Sequence, residues 1–132
     1  MPSASVVVNE IKSITIILTD GPYISEYAEM ACKIASEALK ISHVNIFLYL
    51  DAVHIARRGQ QPSLFAEAGR LFQELAERGA VIRACARCAA ARGYLADGEG
   101  ICPDYYEGIK ISSLYDLARM IEESDRVISL SG

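Results

Sequence analysis

The 132-residue chain has no tryptophan, two histidines, and fewer Lys and Arg (13) than Asp and Glu (17). Its formal net charge of −4 and pI near 5.2 argue against nucleic acid as a partner, because affinity for a phosphate backbone comes mainly from clustered cations. No segment reaches the roughly eighteen consecutive apolar residues that a bilayer span needs, so no membrane partner is expected. The opening "MPSASVVVNE" lacks a basic stretch followed by a long apolar one, and the chain reads as cytoplasmic. Neither G-x-x-x-x-G-K-[ST] nor a helix-opening G-x-G-x-x-G follows the first strand, so nucleotide chemistry is unsupported and no cofactor is expected.

Apolar residues are plentiful. At 52% hydrophobic and 23% charged, the composition suggests that other subunits cover part of the surface, and a homo-oligomer is expected. The length fits a single domain over residues 1–132, with residues 1–10 as a flexible N-terminal segment, and a core that needs no disulfide or structural metal. In a reducing compartment Cys32, Cys85, Cys88 and Cys102 read as buried thiols, ligands or reactive groups rather than disulfides.

The hydrophobic pattern alternates strands and helices. "ITIILTDG" (residues 14–21), "VNIFLYL" (44–50) and "AVIRACA" (80–86) are short apolar runs suited to strands buried on both faces. A helical stripe spans about Ser25 to Lys40 and includes Cys32; a second runs from Leu64 to Ala76 and is closed by Gly79. "DAVHIARRGQQP" between them is a polar connection with a helical turn. An alanine-rich helix follows the third strand and ends at Gly93. After the loop "DGEGICPDYYEG" come a strand at 109–111, a helix opened by a Ser113/Asp116 capping box, and a last strand, "RVISL". Leu114, Leu117, Ala118 and Ile121 form the expected buried stripe of that last helix. The pattern predicts an α/β fold of three α/β/α layers around a five-stranded, mainly parallel sheet.

Such sheets bind ligands beyond the carboxyl ends of their strands. Those ends are "TDGP" with Asp20, "DAVH" with His54, "CARC", and "KISS". Only "CARC" offers a nucleophile. Cys85 is expected at the strand tip facing the next helix, where a thiolate is favoured, with Arg83 and Arg87 as anion-stabilising groups. Cys88 falls in the first helical turn with Arg92 four residues on; it either resolves a persulfide on Cys85 or packs as a small apolar residue. Cys102 lies in a loop that returns over the sheet edge, as a further thiol or as an anchor of the turn.

A zinc site needs more than one C-x-x-C pair, and only Cys102 and His54 could complete it; no metal is assigned. A thioredoxin-type pair would sit at a helix start early in its fold with an aromatic before it, whereas here Ala84 precedes Cys85. A dithiol switch at this junction stays open.

"TDGP", "HVNIFLYLDAVHIARRGQ", "CARCAAARG" and "EGIKISSLYDLARMIEESDRVISL" come in the order of the DsrE/DsrF/TusD-like proteins of intracellular sulfur oxidation, reduction and relay, which the chain resembles over nearly its whole length. The resemblance implies trimers or hexamers and a cysteine at the end of the third strand that accepts sulfane sulfur. Cys85 matches that cysteine, and Arg92-Gly93 matches the Arg-Gly pair that closes the family segment; Arg87 and Cys88 depart from its C-V-A-A-A. The implied activity is sulfur transfer, as a sulfurtransferase or a relay subunit without turnover of its own. Small sulfur species or a sulfur-carrier protein would be partners, and Arg83, Arg87, Asp20, His54 and Cys102 would line the site. A metal-binding or structural subunit of a sulfur-metabolism complex is the alternative, since fold and activity are separable.

Overall fold

A computed structural model describes residues 10–132, so the N-terminal segment read at 1–10 lies, except for its last residue, outside the described residues. Five strands, β1 (Ser13–Leu18), β2 (His43–Leu48), β3 (Val81–Cys85), β4 (Ile109–Ser112) and β5 (Arg126–Leu130), form one sheet in the order β4-β3-β2-β1-β5. Every pairing is parallel, as the continuous apolar runs predict.

The first three crossovers step in one direction along the sheet and the last reverses, so right-handed connections place one helix on the face opposite the others. The helices are α1 (Tyr27–Ala38), α2 (Ala68–Glu77), α3 (Ala86–Ala91) and α4 (Leu114–Glu123). A 3-10 helix, Leu50–Ala56, fills the connection after β2 and packs against α2 and α3.

Alternation along the strands gives the two sheet faces different contents. One carries Ile14, Ile16, Leu18, Val44, Ile46, Leu48, Ile82, Ala84, Ile109 and Ile111, all buried. Each large aliphatic side chain so removed from water contributes about 1.5–3 kcal/mol. The other face, which α4 crosses, carries Thr15, Asn45, Phe47, Arg83, Cys85, Lys110 and Ser112.

Helix α4 is held to that second face by polar contacts. The Thr15 hydroxyl donates to the Met120 carbonyl (3.3 Å), and Asn45 donates to the Thr15 oxygen (3.2 Å). Met120 is the buried residue of α4. The expected buried stripe is corrected here: Leu114 and Ile121 are 40% and 42% exposed, Ala118 is exposed, and Leu117 is half-buried. The Thr15 anchor sets the helix rotation and turns the apolar stripe outward. Ser113 stands at the N-cap without a side-chain hydrogen bond, so the capping box does not form.

Helix α2 begins four residues later than its periodicity suggests, and Leu64 and Phe65 lie exposed before it. The glycine within it is a packing requirement: a Cβ on Gly69 would stand 2.5 Å from the Tyr106 ring and 2.9 Å from the Ile55 carbonyl. That absence lets α2 close onto the 3-10 helix. Gly79 (φ 110°) and Gly93 (φ 89°) take the left-handed conformation just past α2 and α3, as their sequence positions predict.

Candidate functional site

Strand β3 ends at Cys85, which is also the N-cap of α3. Strand alternation puts it on the α4 face, and its neighbours bury it to 1% exposure. One helical turn on lies Cys88, which is half-buried. All four cysteines are free thiols, and Cys32 lies at the edge of the α1 core stripe, where burial pushes its pKa up.

Two groups outside the C-x-x-C motif act on Cys88. The Leu50 N–H donates to its sulfur at 3.2 Å. Leu50 reaches that position with φ 52°, a conformation costly for a bulky residue and most often retained where surrounding structure demands it. Arg92, four residues along, donates through Nη1 to the Cys88 carbonyl (3.0 Å) and through Nε to Asp51 Oδ1 (2.8 Å). Burial, and then the neighbouring Cys85 thiol, push the Cys88 thiol above its ordinary pKa, while the Leu50 N–H and the Arg92 charge pull it down. Cys88 thus keeps its proton beside the Cys85 sulfur, with a donor and a cation in place for the anion.

The other expected site residues are placed as follows. Arg83 shares the sheet face of Cys85, but its guanidinium lies in a groove of about 430 Å³ with Ser13, His43, Asn45, Asp116 and Glu123, toward the amino ends of the strands. Burial lowers its pKa and Asp116 partly restores it. Arg87 is exposed, and its side chain makes no hydrogen bond or ion pair among the described residues. Neither arginine sets the electrostatics of the pair; Arg92 does, because helical spacing returns it over Cys88.

Asp20 accepts from Ser25 Oγ (2.7 Å) and from the Gly132 N–H (3.3 Å), at the β1–β5 end of the crevice rather than at β3. His54 Nδ1 shares a 2.7 Å hydrogen bond with the Tyr94 hydroxyl. Tyr94 packs at a tilt against Tyr105 (ring centroids 5.1 Å apart), whose hydroxyl donates to the Val53 carbonyl at 2.7 Å. Buried Cys102 lies near these tyrosines and adds to the upward pKa shifts that burial imposes on them. His54 and Tyr94 line a polar cavity of about 490 Å³ with Arg57, Gln60, Arg92 and Asp104, so Arg92 joins the thiol pair to this cavity.

Among the described residues no three His, Cys, Asp or Glu side chains come together as a metal-holding group, and His54 is hydrogen-bonded to Tyr94. No helix among those residues is long and apolar enough to cross a membrane.

Sequence reasoning missed Leu50 and Ser112. No residue type announces the left-handed turn at Leu50. Ser112 faces the same side as Cys85, as its Cα partner across the β3–β4 pairing, and only the strand register reveals that.

Comparison with known proteins agrees with this architecture. The profile of the DsrE/DsrF-like family matches residues 12–130. An uncharacterized protein of Methanopyrus kandleri, MK0008, is 34% identical over 116 residues, covering 87% of this chain and 91% of its own. Another, MJ0989 of Methanocaldococcus jannaschii, is 35% identical over 116 residues, covering 87% and 96%. The crystal structure of the ychN protein from E. coli superposes with a TM-score of 0.75 at 23% identity, over 91% of this chain and all of that one, a likeness of fold.

Proposed function

This chain belongs to the DsrE/DsrF-like family, and from that premise we propose that it is a cytoplasmic sulfur carrier whose Cys85 accepts sulfane sulfur and hands it to a partner thiol. The observation that carries this reading is the thiol pair at the carboxyl end of β3, with Cys85 buried at the N-cap of α3 and Cys88 one helical turn on, receiving the Leu50 N–H.

The Cys85 thiolate attacks the outer sulfur of a donor R–S–SH. The donor S–S bond breaks, a new one forms on Cys85, and R–S⁻ leaves with the electron pair. An acceptor thiolate then attacks the outer sulfur of Cys85–S–SH, and Cys85 departs as thiolate. Neither step consumes an external oxidant or reductant. Cys88 attacking the inner sulfur would instead expel H₂S and leave a Cys85–Cys88 disulfide, so Cys88 is the group that can resolve a persulfide without an acceptor.

Partners of this chemistry are small sulfur species or a sulfur-carrier protein. Self-association, as the trimers or hexamers that the family resemblance implies, is supported by the outward stripe of α4, where Leu114, Tyr115 and Ile121 are exposed, and by exposed Val127 on β5.

The test is the intact mass of reduced protein after treatment with a sulfane donor. A gain of one sulfur or one thiosulfonate group, absent in Cys85→Ser, is expected; no gain overturns the proposal. The close approach of Cys88 to Cys85 also favours a second reading, a dithiol redox protein. It predicts that mild oxidant closes a Cys85–Cys88 bond with a reproducible potential and that the wild type takes up no sulfur.

A further inference from the structure

The end of β4 holds a group that the sulfur-carrier reading has not used. Ser112 is paired with Cys85 across the parallel β3–β4 ladder, so both side chains leave the same face of the sheet at neighbouring positions. Its hydroxyl oxygen is buried and has no hydrogen-bond partner among the described residues. An unmet buried hydroxyl destabilises the state that holds it, and such a group calls for an explanation, a state of the protein that uses it among them. Ser112 and Cys85 do not hydrogen-bond while Cys85 is a thiol, although Cys85 is the nearest strand position facing the same way. A second sulfur on Cys85 extends its side chain by about 2 Å.

We propose that Ser112 is a positioning residue for the carried sulfur: its hydroxyl donates to the outer sulfur of the Cys85 persulfide, a partner it lacks in the resting thiol. The proposal rests on the reading that Cys85 accepts sulfur. Loading is the exchange already described, in which R–S⁻ leaves. The hydroxyl keeps its proton throughout and stabilises the persulfide anion as a charge-assisted donor. The arrangement places the cost in the empty state and relieves it in the loaded one, which favours retention of sulfur until an acceptor arrives.

The test uses the full chain and inorganic polysulfide as the probe. Wild type, Ser112→Ala and Ser112→Thr are loaded, freed of excess reagent, and followed by intact mass, and the pH dependence of persulfide alkylation is measured. Ser112→Ala is expected to lose its sulfur about tenfold faster and to shift the persulfide alkylation midpoint to higher pH. Ser112→Thr, which keeps a donor, restores both. The unloaded Ser112→Ala protein is expected to melt at or above the wild-type temperature, because it removes an unpartnered buried hydroxyl. A lower melting temperature together with unchanged sulfur lifetime and pH midpoint would mean that Ser112 is structural and would overturn the proposal. Equal lifetimes and midpoints in all three loaded proteins overturn the Ser112 role alone, whereas a wild type that takes up no sulfur overturns the carrier reading along with it.

Discussion

The two faces of the sheet share strands, register and backbone hydrogen bonds, yet they differ in almost every other respect. Under α1, α2 and α3, the face that β1 to β4 present is wholly aliphatic and buried. The face under α4 mixes Thr15, Asn45, Arg83, Lys110 and Ser112 with a few apolar residues, and much of it is open. The first face supplies the folding energy, so the second is free to carry groups that would weaken a core. Cys85 faces the second side, at the strand end where α3 begins and Cys88 and Ser112 gather.

Truncation should separate the faces most sharply. Ile82→Ala, on the closed face, is expected to cost about 2–5 kcal/mol in denaturant unfolding. Its neighbour Val81→Ala, half-buried on the open face, should cost about 1 kcal/mol or less. Equal losses would show that the open face is a core of comparable weight.

Gly69→Ala presses a methyl group into the Tyr106 ring and the Ile55 carbonyl, and should cost about 1–3 kcal/mol by overpacking. An unchanged midpoint would mean that α2 slides away freely from the 3-10 helix.

On α4 the expectation reverses. Replacing Leu114 and Ile121 by Glu should leave monomer stability within about 0.5 kcal/mol per site while lowering the particle mass measured by light scattering. Unfolding of the doubly substituted chain would make the stripe part of this chain's own core.

Smaller still is the titration of Cys88. Its raised pKa predicts that alkylation at Cys88 reaches half-maximal rate at a higher pH than a free thiol does, and that Arg92→Ala moves the midpoint higher. A pKa raised in the folded state contributes stability that is fully present below the unfolded thiol value and fades as pH rises through the folded one. The stability advantage of wild type over Cys88→Ala should therefore shrink in alkaline solution. A midpoint below that of a free thiol would contradict the assignment.

Much of the architecture was legible because parallel strands buried on both faces read as unbroken aliphatic runs, and because Gly79 and Gly93 end their helices where a left-handed residue is needed. The position of Cys85 at a strand-to-helix junction was legible for the same reason. The surroundings of the thiols were not. Arg83 shares the strand face of Cys85, which the period of two predicts, but its guanidinium donates to the Ile82 carbonyl and lies in the groove toward the other end of the strands. Arg92 gains its role from the helical period. Ser112 and Leu50 act through register and through a backbone angle, which residue type does not encode. The stripe on α4 was legible as periodicity, but periodicity does not say whether an apolar face meets its own sheet or another molecule.

Tryptic mapping of the sulfur-loaded protein tests the central claim most directly, because cleavage after Arg83, Arg87 and Arg92 puts Cys85 and Cys88 on separate peptides. The account predicts the added sulfur on the peptide holding Cys85, retained in Cys88→Ser when the sample is kept free of acceptor thiols. Sulfur found instead on Cys32 or Cys102, or uptake that persists undiminished in Cys85→Ser, would contradict it.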